Sequence, residues 1–177
     1  NTSVGYSALY TNSTGANNVA VGRAALYTNN GSANVAIGQK ALYTNSTGAN
    51  NTAVGHQSLQ ANTTGGLNAA FGREALLKNT TGSQNTALGA YTLYENLTGI
   101  ENTAIGYVAL EKNTGSYNSA VGSRSLDVNT TGTGNVALGY QSLTSNTTAN
   151  NNTALGYGAM AANTTGANNT AVGYGAL

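Results

Sequence analysis

An apolar residue followed by Gly recurs along the chain at Val4-Gly5, Val21-Gly22, Ile37-Gly38, Val54-Gly55, Phe71-Gly72, Leu88-Gly89, Ile105-Gly106, Val121-Gly122, Leu138-Gly139, Leu155-Gly156 and Val172-Gly173. The spacing is 17 residues, shortened to 16 at two places. Counting the Asn before each such element as position 1, units begin at Asn1, Asn18, Asn34, Asn51, Asn68, Asn85, Asn102, Asn118, Asn135, Asn152 and Asn169, so residues 1–177 form one repeat array. The consensus reads Asn-Thr-Ala-Val-Gly-Tyr-x-Ala-Leu-x-x-Asn-Thr-Thr-Gly-x-Asn. The array opens in mid-pattern without Met, which reads as an excerpt of a longer polypeptide.

A period this short excludes most repeat architectures. Helical repeats need about 33 residues and leucine-rich repeats at least 20 or so, whereas 17 residues suffice for short strands joined by turns. The expected fold is all-β: a parallel β-solenoid, or β-roll, of about ten 17-residue coils. Asn-Thr-Ala-Val-Gly alternates as a strand does, Tyr-x-Ala-Leu is predicted as a second strand, and Asn-Thr-Thr-Gly-x-Asn is turn chemistry. The absence of Pro fits a chain whose N–H groups all serve stacking. Asn at positions 1 and 12 suits left-handed backbone or side-chain amide ladders.

Composition then gains a meaning. Ala, Asn, Thr and Gly supply 105 of 177 residues, while Leu, Ile, Val and Phe supply only 30. Such a chain has too little apolar volume for an ordinary core. Two large side chains per coil, at positions 4 and 9, are expected to interdigitate inside, which sends Ala at position 3 and Gly at position 5 outward. That smooth outer stripe, containing Ala87 and Ala104, is read as packing against the same stripe of other chains in a side-by-side homotrimer. Charges are few, with Lys plus Arg at 6 and Asp plus Glu at 5, as stacking like on like requires. Lys78, Glu95 and Lys112 fall at position 11 of successive coils and are expected to alternate in sign along one column. A net charge of +1 gives no field for nucleic acid, and no apolar run is long enough for membrane insertion.

The elements Asn-Val-Ala-Ile-Gly at Asn34 to Gly38 and Asn-Thr-Ala-Ile-Gly at Asn102 to Gly106 resemble the head repeat of trimeric autotransporter adhesins. The longer form at Asn169 to Leu177 is similar to repeats of bacteriophage tail fibres and bacterial surface fibres, often upstream of a self-cleaving chaperone domain. The resemblance implies a left-handed parallel β-roll with three chains side by side, and an extracellular, cell-surface or virion location. The period of 17 exceeds that of the adhesin head repeat, and no stalk, anchor or chaperone domain lies within these residues.

Catalysis requires irregular residues that converge, and this chain scatters them. His56 is the one His and occupies a position held by Tyr in other coils; Glu74, Glu95, Glu101, Glu111 and Asp127 fall at scattered repeat positions. No enzyme activity, cofactor or metal site is expected. Three binding surfaces are candidates. Asn-x-Ser/Thr sequons occur at Asn12, Asn30, Asn45, Asn62, Asn79, Asn96, Asn129, Asn146 and Asn163, where a column of N-glycans competes with a plain Asn/Thr ladder. Thr47, Thr64, Thr81 and Thr98 form a rank of the kind ice-binding solenoids display. Tyr10, Tyr27 and Tyr43 at position 10, and Tyr140, Tyr157 and Tyr174 at position 6, form columns suited to contact with surface glycans or receptors. The expected function is a structural rod of an extracellular fibre, self-associated and able to attach multivalently.

Overall fold

A computed structural model describes all residues 1–177. Each unit is one coil of a parallel β-solenoid, and each coil carries one three-residue strand. The strands are β1 (Thr2–Val4), β2 (Val19–Val21), β3 (Val35–Ile37), β4 (Thr52–Val54), β5 (Ala69–Phe71), β6 (Thr86–Leu88), β7 (Thr103–Ile105), β8 (Ser119–Val121), β9 (Val136–Leu138), β10 (Thr153–Leu155) and β11 (Thr170–Val172). They form one sheet in chain order, with repeat positions 2, 3 and 4 in register throughout. At about 4.8 Å per strand the sheet extends on the order of 50 Å.

The expected second strand is absent. Tyr-x-Ala-Leu is a run of turns, because residues at positions 7 and 9 take left-handed backbone, as at Gln57 (φ 55°) and Leu59 (φ 50°). Position 8 N–H closes a turn on the carbonyl of the position 5 Gly, as from Ala75 to Gly72 at 3.4 Å, and position 12 N–H closes another on position 9. Position 17 is also left-handed, as at Leu67 (φ 59°). Asn at positions 1 and 12 is not: positive φ falls at positions 7, 9 and 17 and at the position 5 Gly (φ 127–139°).

Backbone groups between the strands still pair with neighbouring coils. Position 9 N–H donates to the following coil (Leu59 to the Ala75 carbonyl, 2.9 Å), and position 7 N–H donates to the preceding coil (Glu74 to the His56 carbonyl, 2.9 Å). Only 20 of 110 backbone hydrogen bonds lie within the strands. The turns are therefore as much part of the ladder as the sheet is.

The inside and outside of the strand are reversed from the sequence expectation. Ala at position 3 points inward and is buried at Ala20, Ala36, Ala53, Ala70, Ala87, Ala104, Ala120, Ala137, Ala154 and Ala171. Position 4 points outward, with Ile37 and Phe71 each 40 % exposed and Leu88 48 %. The interior thus receives one large apolar side chain per coil, the position 9 residue, from Leu26 through Leu143 to Met160. It packs against Ala at position 3 and a small residue at position 8. Where position 8 is Thr92, Ser125 or Ser142, the hydroxyl donates to the position 5 Gly carbonyl at 2.8–3.0 Å, which removes the cost of burying it.

The remaining core is polar. Asn at position 1 accepts the next coil's position 1 N–H and donates to the position 15 carbonyl of its own coil: Asn85 N–H bonds Asn68 Oδ1 at 3.0 Å, and Asn68 Nδ2 bonds the Gly82 carbonyl at 2.9 Å. Asn at position 12 donates to the same carbonyl and to the preceding Asn, as Asn79 does to Gly82 at 3.0 Å and to Asn62 Oδ1 at 2.8 Å. Two amide ladders thus run along the rod and meet on the position 15 oxygen; the position 1 ladder is continuous, while the position 12 ladder breaks between Asn96 and Asn113, where the buried Asn96 Oδ1 receives no donor. That crossing leaves little room for a side chain, and Gly stands there in most coils; Ala149 is the exception.

Candidate functional site

The rod presents three kinds of outer surface. The first is the sheet face, built from positions 2 and 4. Position 4 supplies eleven apolar residues in a line from Val4 to Val172, and position 2 supplies Thr, Val, Ala or Ser. No charged residue falls at either position; all eleven lie at positions 6, 7, 10 or 11, except Glu101 at position 17. Exposure of 40 % at Phe71, 48 % at Leu88 and 43 % at Leu138, with Val21, Val54, Ile105 and Val121 half-buried in the same line, makes this an apolar stripe, unlike the isolated exposed apolar residues of an ordinary surface. The Ala stripe expected to carry chain-to-chain packing lies inside the coil, so Ala87 and Ala104 have no exposure to offer a neighbour.

The second surface is aromatic. Tyr10, Tyr27 and Tyr43 stack with ring centroids 5.1 and 5.0 Å apart and planes within 16°. Tyr140, Tyr157 and Tyr174 stack at 5.2 Å with planes within 27°. Stacking turns ring faces toward one another, so within a column a sugar reaches rims and not faces. Between the columns, Tyr91 meets Tyr94 at 6.1 Å and stands edge-on to Tyr107 at 6.1 Å. Cations cover this middle section: Arg73 lies 5.5 Å from the Tyr91 ring centroid, and Lys78 lies 5.2 Å from that of Tyr94. Glu74 accepts from Arg73 Nε at 2.9 Å, which raises the guanidinium pKa above its ordinary value. In the position 11 column Lys78 Nζ bonds Glu95 Oε1 at 3.1 Å, and Lys112 makes no ion pair with Glu95.

The third surface is the Asn/Thr turn. Thr47, Thr64, Thr81 and Thr98 are exposed at position 14 in four successive coils. The two 16-residue coils, 18–33 and 102–117, lack that position and interrupt the rank. The sequons divide by burial. Asn45, Asn62, Asn79, Asn96, Asn129 and Asn146 have no exposure, and each Nδ2 is engaged in the position 12 ladder. Of the two alternatives for these six sequons, the fold places their nitrogens in a structural Asn ladder inside the coil. Asn12 and Asn163 are half-buried with the same bonds, and Asn30 is exposed at position 13.

Sequence reasoning missed the sheet face. The signal was present in the absence of charge from positions 2 and 4, but the same absence marks a buried face equally well. No cluster of three or more His, Cys, Asp or Glu side chains occurs, no pocket opens on the rod, and no helix is long and apolar enough to cross a membrane. No family model, curated protein or solved structure matches the chain.

Proposed function

We propose that the chain is a structural rod of an extracellular fibre, an adhesin-type head or shaft or a tail fibre, in which the sheet face is buried against other copies in a parallel homotrimer. The observation that carries this reading is the uncharged apolar line of position 4, which has one repeat per coil and so matches itself in a parallel neighbour along its whole length. Such a partner buries every coil alike, and three copies close the assembly without a free apolar face. The outward Tyr and Thr columns remain available for weak attachment repeated along the rod, where multivalency compensates for low affinity at each point.

The test is oligomer mass by sedimentation for the wild type and for a Leu88→Lys/Ile105→Lys double variant. The wild type is expected at three times the 17.7 kDa chain mass, and the variant as a folded monomer with an unchanged circular dichroism spectrum. A wild type that sediments as a monomer at micromolar concentration refutes the assembly. A second reading, ice binding, draws on the exposed Thr47–Thr98 rank. It requires thermal hysteresis that the double variant keeps and that Thr64→Tyr/Thr81→Tyr loses.

A further inference from the structure

We propose that Asn30–Gly31 is a self-modifying site at which the folded rod converts Asn30 into aspartate and isoaspartate through a succinimide. Of the 27 Asn residues, Asn30 alone is followed by Gly. The pairing arises from the missing position 14 in coil 18–33, which joins the position 13 residue directly to the position 15 Gly. Coil 102–117 has the same deletion, with Thr114 before Gly115.

Three features of the fold favour the reaction at this place. The Asn30 side chain is exposed to water although Gly31 beside it is buried, while most Asn side chains at the ladder positions are buried with both amide atoms engaged. The Gly31 N–H donates to no acceptor, whereas its counterpart Gly115 N–H is held by the Thr130 carbonyl at 3.0 Å. Gly also has no Cβ to obstruct approach of its nitrogen to the preceding side chain. Finally, Asn30 Oδ1 accepts from both Ser13 N–H at 3.0 Å and Ser13 Oγ at 2.9 Å. Two donors at this distance stabilise negative charge on that oxygen, and such charge develops when the adjacent carbon is attacked.

Gly31 nitrogen, on losing its proton to water or hydroxide, bonds to Asn30 Cγ, and the tetrahedral intermediate carries its charge on Oδ1 between the Ser13 donors. The Cγ–Nδ2 bond then breaks, Nδ2 takes up a proton, and ammonia leaves. Water opens the five-membered ring at either carbonyl, giving aspartate or isoaspartate; the net change is one water consumed and one ammonia released. Each event adds a negative charge, and isoaspartate also adds one atom to the main chain of the shortened coil.

The experiment incubates the folded protein at mildly alkaline pH and follows peptide mass, ammonia and isoaspartate. The expected result is a gain of about 1 Da confined to the peptide holding Asn30, with one equivalent of ammonia and a mixture of the two products. Asn30→Thr, which copies the Thr114 coil, is expected to abolish the change, and Ser13→Ala, which keeps the Ser13 N–H, to slow it several-fold. The proposal is overturned if the folded wild type stays unmodified over a period in which the urea-unfolded chain reacts, or if Ser13→Ala reacts at the wild-type rate.

Discussion

Leu67 is 60 % exposed with φ at 59°, so it occupies left-handed backbone with no burial in return. Four other coils place Asn there, at Asn17, Asn50, Asn151 and Asn168, all with φ between 57° and 60°. Asn tolerates this region because its short polar side chain bonds locally, whereas a residue with a branched apolar side chain bears a cost of about 1–2 kcal/mol. Leu67→Asn is therefore expected to stabilise the rod by about 0.5–1 kcal/mol in urea titration. Leu59 and Leu76 share the left-handed backbone but are wholly buried, so the apolar contacts that offset the strain would be lost on the same change. Position 12 shows the opposite balance. Asn79→Ala deletes bonds to Asn62 Oδ1 and the Gly82 carbonyl and one received from Asn96 Nδ2. Its expected cost is about 2–4 kcal/mol, because Asn62 Oδ1 is left buried without a donor and the Gly82 carbonyl keeps only Asn68. Equal stability of the variant would mean that the ladder contributes nothing.

At the scale of the coil, the period and the parallel stacking were legible because a 17-residue repeat leaves few ways to close a loop and pair it with its neighbour. The Asn ladders were legible for the same reason: one Asn at one position in every coil stacks on itself. What was not legible was the phase of a three-residue strand. Shifting the inward residue by one exchanges both faces, and Ala-in with Val-out alternates as well as Val-in with Ala-out does. Coil geometry decides between them. With positions 7 and 9 left-handed, the chain turns back so tightly that the interior holds one large side chain per coil. Position 9 fills it, and position 3 has to be Ala. The turns themselves were obscure because Leu59, Leu76 and their equivalents are residues that seldom take positive φ. Each coil nonetheless remains a self-contained unit, stabilised through its two neighbours. Deleting Asn68–Gln84, one whole coil, joins Leu67 to Asn85 in register and is expected to give a folded rod one strand shorter. Deleting only residues 76–84 leaves half a coil and is expected to abolish cooperative unfolding. If the two deletions behave alike by circular dichroism, the coil is not the structural unit.

At the scale of the molecule, the few charges are unevenly shared. Residues 1–84 contain Arg23, Lys40, Arg73 and Lys78 against Glu74, a net +3, while residues 85–177 contain Lys112 and Arg124 against Glu95, Glu101, Glu111 and Asp127, a net −2. The rod is therefore polar along its axis, and the direction of a neighbouring copy has an electrostatic consequence. Parallel copies set like halves side by side; antiparallel copies set opposite halves together. With the charges placed off the sheet face, copies packed through that face keep them in solvent, where a Debye length of about 10 Å at 0.1 M salt weakens either effect without abolishing it at lower salt. Parallel assembly is accordingly expected to hold or tighten when salt rises from about 20 mM to about 500 mM, because the repulsion between like halves is screened and the apolar stripe is unaffected. Sedimentation across that range checks the sign. Dissociation on adding salt would mean that opposite halves are paired, and an antiparallel pair cannot extend into a three-fold fibre with all its chains running the same way.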